Sequence, residues 1–238
     1  MSQVEVNAGR SLREIHCAAR RERILTAARR LIVRGGVPAL SMRKLAAEAG
    51  LAVTTLYNLF GARDDILCAL INDAIDRMDE VLEQEAPLDD PLDRCRAVVT
   101  VSVRHLAQNA ELFRPMLLAG FHGGPLDATS ANPISARAAR MQGVAIEAAI
   151  AQGLLHSTLE PDLLGCQIYH GYEMASLQWA LGAIGAEHFE SRALYGLYVA
   201  LLAVATKDVR PEIEGELRRL ERALGSGRRR KGRVRRSA

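Results

Sequence analysis

Between residues 20 and 62 a helical apolar pattern is cut three times by glycine, at Gly35-Gly36, Gly50 and Gly61, and such punctuation admits only helices joined by tight turns. Ser11-Leu-Arg-Glu14 is a capping-box sequence, and the helix it opens carries Ile24, Leu25, Ala28, Leu31 and Ile32 at helical spacing up to Gly35-Gly36. Pro38 discourages resumption. Ser41 then caps a second helix, Met42 to Ala49, with Leu45, Ala46 and Ala49 on one face. Gly50 ends it, and Leu51-Ala52 leads into a third helix, Val53 to Phe60, closed by Gly61. Ala46, Gly50, Leu51 and Leu56 are expected to pack these two helices together, which turns Thr54, Thr55, Tyr57 and Asn58 outward. A helix, a glycine turn and a second helix short enough for a major groove make Ser41 to Phe60 a helix-turn-helix.

The remainder also predicts helix. One long helix runs from Arg63 to about Glu85, with Ile66, Leu67, Leu70, Ile71, Ala74, Ile75, Met78 and Leu82 at helical spacing. Beyond it, Pro and Gly signals divide the chain into helices at roughly 91–108, 110–119, 133–152, 161–183, 187–207 and 211–224, with His122 to Pro133 as the longest loop. Aromatic residues make up 4% of the chain against 49% hydrophobic, and β-branched runs are scarce, which favours helix over sheet. The expected fold is all-α. It comprises an N-terminal arm (1–18), a three-helix helix-turn-helix domain (19–62), a larger helical domain (63–224) and a basic, disordered tail (225–238).

The net charge of +3 conceals a segregation. Residues 1–63 hold 11 Lys/Arg against 4 Asp/Glu, residues 64–224 hold 13 against 24, and residues 225–238 hold 7 against none. Clustered cations release counterions from phosphate on contact, so the N-terminal unit is expected to meet nucleic acid while the acidic body does not. Cys17, Cys68, Cys95 and Cys166 show no CxxC spacing, and the N-terminus lacks the charged-then-apolar pattern of a signal peptide. No apolar run approaches the roughly 18 residues needed to span a bilayer. These features predict a cytoplasmic protein with free thiols and no membrane contact.

Arg23-Ile-Leu-x-Ala-Ala28, then Ser41-Met-Arg-x-Leu-Ala46, then Thr55-Leu-Tyr-Asn58 followed by Phe60-Gly61, resembles the DNA-binding domain of the tetracycline-repressor (TetR) family over about residues 20–72. The resemblance implies that Arg43 reaches phosphate or a base edge and that Thr54 and Thr55 lie at the groove end of the recognition helix. Tyr57 matches the family tyrosine that grips the backbone. Arg63 stands where the family usually has Lys at the start of the fourth helix, where cation and helix N-terminus together favour phosphate. Lys44 and Asn58 complete the candidate set. There are two departures: Leu59 replaces a frequent His or Tyr, and Ala62 replaces a common Ser/Thr cap at a cost of roughly 1 kcal/mol. Thr hydrogen-bonds several bases, so the operator sequence is not specified.

The resemblance further implies a C-terminal effector-binding and dimerisation domain, in which the last two long helices of each subunit form a four-helix bundle. The partners are then a double-stranded DNA operator, a second copy of the chain and a small-molecule effector. On the segment 161–183, Gly165, Gly171, Ala175, Ala180 and Gly182 permit close helix approach and are expected at the interface. Polar and aromatic residues within apolar helices are the candidate ligand contacts: Arg104, His105, Phe113, Met116, Tyr169, His170, Glu173 and Trp179. Ligand binding would favour a conformation whose recognition helices no longer match successive major grooves about 34 Å apart, with the helix from Arg63 to Glu85 carrying the displacement.

No cofactor or metal is expected, since Cys166 and His170 are two ligands only. An enzyme is the remote alternative: Ser102 and His105 lie three apart without a GxSxG, phosphate loop or metal cluster. A sequence-nonspecific architectural DNA binder is the nearer one, since the Arg-rich tail and Arg10, Arg13, Arg20 and Arg21 suit phosphate contacts on any duplex.

Overall fold

The structure is a computed structural model that describes the backbone of residues 11–120 and 133–234 and the side chains of residues 11–120 and 135–225. Its helices are α1 (Leu12–Gly35), α2 (Met42–Ala49), α3 (Val53–Phe60), α4 (Arg63–Glu85), α5 (Pro91–Gln108), α6 (Ala110–Gly120), α7 (Pro133–Ala151), α8 (Pro161–Ala180), α9 (Ala186–Val204) and α10 (Arg210–Val234), with a 3-10 turn at Val37–Ala39. Among the described residues the fold is all-α, with one isolated antiparallel bridge, Leu155–Ala205, tying the α7–α8 connection to the end of α9.

The local signals act as the sequence implies. Ser11 N–H donates to Glu14 Oε2 at 2.7 Å while Glu14 N–H donates to Ser11 Oγ at 3.3 Å, so the capping box closes. Residues 12–18 of the expected arm are therefore the first turns of α1, and residues 1–10 lie outside the described residues. Ser41 Oγ accepts from Lys44 N–H at 3.3 Å and starts α2. Gly50, with φ 63° and ψ 42°, ends α2, while the N–H of Leu51 returns to Ala46 O at 3.0 Å. At the start of α4 the missing Ser/Thr cap is half replaced, because Asp65 Oδ2 accepts from Ala62 N–H at 2.7 Å.

Differences fall at element ends. The segment expected as helix over 161–183 stops at Ala180, followed by Gly182 at φ 73°. The last helix extends to Val234, ten residues past 224 and through most of the arginine run expected to be disordered. Arg and Lys are good helix formers, and like-charge repulsion on a solvated helix costs only about 0.2–0.5 kcal/mol per pair. The loop expected at His122 to Pro133 lies outside the described residues apart from Pro133 itself.

Among the described residues three apolar clusters hold the fold. The first joins α1, α2, α3 and the start of α4 through Ile24, Ile32, Leu45, Leu56, Ile66 and Leu67, and it also includes Met116 from α6. The second, containing Ala74, Phe113, Ile146, Trp179, Phe189 and Leu197, fills the space among α4 to α10. The third, with Ile75, Met78, Leu82 and Val98, lies between α4 and α5. α4 thus contributes to all three. Arg94 on α5 is 5% exposed, and its guanidinium donates to Ala86 O at 2.9 Å and to Glu83 Oε1 at 2.8 Å, fixing the α4–α5 connection. The four cysteines are free thiols, and burial pushes the Cys95 thiol up to about 12. Among the described residues no helix is long and apolar enough to cross a membrane.

Candidate DNA-binding face and ligand cavity

The helix-turn-helix presents the polar face that the sequence implies. Leu45, Ala46, Ala49 and Leu56 are buried, so α2 and α3 are locked by their inner faces. Arg43, Lys44, Thr54, Tyr57 and Asn58 are exposed, whereas Thr55 is half-buried. Val53, one turn before Tyr57, is also exposed and was not among the expected residues. Its position at the first turn of the recognition helix was the available signal. Arg63 is half-buried, and its Nε lies 3.3 Å from Asp64 Oδ1, so part of its charge is neutralised within the chain.

Two arginines of α1 hold this unit in shape. Arg23 Nη2 donates to Ala49 O at 2.7 Å and to Gly50 O at 3.4 Å, gripping the carbonyls of the turn. Arg21 donates to Leu59 O at the end of α3 and sets its guanidinium 4.1 Å from the Phe60 ring centroid. The sequence assigns Arg21 to a phosphate-binding arm; the structure instead engages it with the recognition helix. A further ion pair, Arg29 Nη2 to Asp73 Oδ2 at 2.6 Å, links α1 to the middle of α4.

Helices α4, α5, α6, α7 and α8 enclose a cavity of about 140 Å³. Its wall is mainly apolar, with Ile75, Met78, Val99, Leu106, Phe113 and Met116. The polar contributions are Ser102, Ser135, Gln142, Tyr169, Tyr172, Glu173 and Ser176, and no Lys, Arg or His is found among the described lining residues. Tyr169 and Tyr172 stack with ring centroids 6.0 Å apart. Ser102 Oγ donates to Val98 O at 2.6 Å. Burial raises the Glu173 carboxyl to about 7, an effect partly offset by hydrogen bonding with Tyr169 and Ser135.

The eight expected ligand residues divide evenly. Phe113, Met116, Tyr169 and Glu173 line the cavity. Arg104 is instead paired with Glu85 at 2.6 Å on the exterior. His105 is half-buried against the Phe113 ring, with centroids 5.3 Å apart, and burial lowers its pKa. His170 is exposed on the outer face of α8. Trp179 is buried in the core, stacked on Phe189 at 5.7 Å with the Arg114 guanidinium 4.8 Å above its ring. Ser102, Ser135, Gln142, Tyr172 and Ser176 were missed because serine, glutamine and tyrosine are ordinary residues on a half-buried helix. The small residues of α8 divide too. Gly165, Ala175 and Ala180 are packed inside the subunit, a Cβ at Gly165 falling 2.8 Å from Ala139 O. They therefore serve the α7–α8 contact and the core rather than the expected interface. Gly171 and Gly182 have open space around them.

Residues 24–70 match the N-terminal domain of the bacterial regulatory proteins of the tetR family. No curated protein sequence matches the chain. Among solved structures, a TetR-family transcriptional regulator from Pectobacterium atrosepticum is 23% identical with a TM-score of 0.60, covering 83% of this chain and 99% of that one. SmeT, the repressor of the Stenotrophomonas maltophilia multidrug efflux pump SmeDEF, is 18% identical with a TM-score of 0.59, covering 79% and 92%. FadR from Thermus thermophilus, a repressor in complex with lauroyl-CoA, is 18% identical with a TM-score of 0.60, covering 79% and 97%. These likenesses extend the shared fold well beyond the matched domain.

Proposed function

We propose that this chain, a DNA-binding transcriptional regulator that belongs to the TetR family of bacterial regulatory proteins, acts as a homodimeric repressor released from its operator by a small molecule entering the α4–α8 cavity. Arg43, Lys44, Tyr57, Asn58 and Arg63 serve as phosphate and backbone contacts, Thr54 and Thr55 as base-edge contacts, and Val53 as an apolar contact suited to a thymine methyl. Dimerisation uses the outward face of α8 and α9, where Leu163, Gly171, Met174 and Val199 stand exposed or in open space, together with Leu181 just past the end of α8.

The observation that carries the reading is the position of Met116. This side chain is 1% exposed, belongs to the apolar core of the DNA-binding unit and also lines the cavity. A ligand that displaces it must disturb the packing of α6 against the helix-turn-helix core. α4 supplies the parallel route, through Ile66 to Leu70 at one end and Ile71 to Met78 at the cavity. Coupling of this kind is typically about 1–3 kcal/mol, equivalent to roughly 5- to 150-fold in operator affinity.

The test is selection of bound genomic fragments with the full chain, followed by anisotropy titration of the selected duplex with and without cavity ligands. Binding with no preference for any fragment over random DNA would favour the architectural alternative. Deleting 226–238 should flatten the salt dependence while preserving the preference. Operator affinity unchanged by every ligand that stabilises the protein would refute ligand control.

A further inference from the structure

We infer that the α4–α8 cavity selects a small aromatic or alicyclic ammonium, a ligand that brings hydrogen-bond donors and positive charge to an acceptor-lined pocket. The inference rests on the cavity being the effector site proposed above. Glu173 and Gln142 line the pocket together with Tyr169 and Tyr172, and the described lining contributes no cationic side chain.

Gln142 is the sharpest element. It is 3% exposed, and its Nε2 donates to Cys95 O at 2.9 Å. A carbonyl can only accept, so this bond fixes the amide orientation and leaves Oε1 as the acceptor. That Oε1 is buried and has no hydrogen-bond partner, a state that costs free energy until a donor arrives. Glu173, on the facing helix α8, adds a carboxylate with no basic side chain among the causes of its perturbation. The stacked tyrosines add aromatic surface, which attracts an organic cation through the ring faces. Among the described lining residues an anionic ligand would meet the Glu173 carboxylate and no cationic partner for its own charge, and a buried unpaired charge is strongly disfavoured. The cavity volume of about 140 Å³ is near the roughly 150 Å³ of an engineered cavity that admits benzene, so a one-ring body fits without opening the fold.

The experiment is calorimetry on the full chain at a pH of about 8, where Glu173 is mostly ionised, with three probes of similar size: 2-phenylethylamine, 2-phenylethanol and 3-phenylpropanoate. The amine should bind at least about ten-fold more tightly than either other probe. In Glu173→Gln the amine should lose about ten-fold or more while the alcohol changes less than about two-fold, the alcohol reporting that the pocket is intact. Amine binding no tighter than carboxylate binding, including no amine binding at all, overturns the inference on the wild-type chain alone, whatever the variant does. Operator release is read separately on the selected duplex. An amine that binds through Glu173 without lowering DNA affinity supports the ligand class and removes the regulatory reading. A carboxylate that releases the DNA removes the ligand class and supports the regulatory one.

Discussion

Replacing Glu173 by Gln tests the character of the cavity without any knowledge of the ligand. In the folded chain burial raises the carboxyl from 4.5 to about 7, so the fold prefers the protonated form. A group raised in this way leaves stability at its highest below the unfolded value, and the benefit is lost as pH climbs through the folded value. At about 1.4 kcal/mol per pH unit the interval corresponds to roughly 3 kcal/mol. Glu173 is only half-buried, so solvent screening reduces this to about 1–2 kcal/mol. Gln removes the ionisation and keeps the shape, and the remaining titrating groups are common to both proteins. Of the described cavity residues, only Tyr169 and Tyr172 titrate besides Glu173, and both are raised by burial, away from the window. The stability difference, variant minus wild type, should therefore grow between pH 4.5 and about 7 and stay level above it. Urea unfolding at fixed protein concentration, from about pH 4.5 to 8.5, measures it. Parallel stability curves for the two proteins would refute the argument that the cavity holds Glu173 in an ionisation-averse environment.

Three further outcomes are expected from the same geometry. Met116→Ala should cost about 2–3 kcal/mol in denaturant unfolding, the low end for a buried Met because the cavity already provides space beside it. It should also flatten the response of operator affinity to any cavity ligand, whereas Met116→Leu should cost under about 1.5 kcal/mol and retain the response; equal responses in both variants would remove Met116 from the coupling. Gly50→Ala places a Cβ at φ 63° and 3.3 Å from Arg23 Nη2, so it should lower stability by about 1–2 kcal/mol and weaken DNA binding through the turn that Arg23 holds, as read by thermal unfolding and anisotropy. Arg43→Ala should weaken binding evenly across sequences and reduce the salt slope by about one, while Thr54→Ala should relax discrimination by about 1–3 kcal/mol at one base pair; competition with single-base operator variants separates the two.

The parts of this molecule that could be read in the sequence are those whose cause is local. Ser41 starts α2 through a bond three residues away, and Gly50 stops it because its own backbone is left-handed; both signals lie within one turn of the element they control. The apolar spacing of α4 was legible for the same reason. The grip of Arg21 on Leu59 O spans 38 residues, and that of Arg23 on Ala49 O spans 26, so nothing beside either arginine announces its partner. The cavity lies at the far end of this scale. On α8, Tyr169, Tyr172, Glu173 and Ser176 recur at three- and four-residue spacing and face the cavity, while Leu163, His170 and Met174 face outward. Polar and apolar residues occur on both faces, so hydropathy does not say which face is inside. That choice is made by α7, whose Ala139 and Gly143 close against Gly165 and leave Glu173 in the wall of the cavity that Gln142 also lines. A helix whose two faces are chemically alike takes its inside from its neighbour, and for that reason His170 and Tyr169, adjacent in sequence and equally plausible as ligand contacts, fall on opposite sides of the wall.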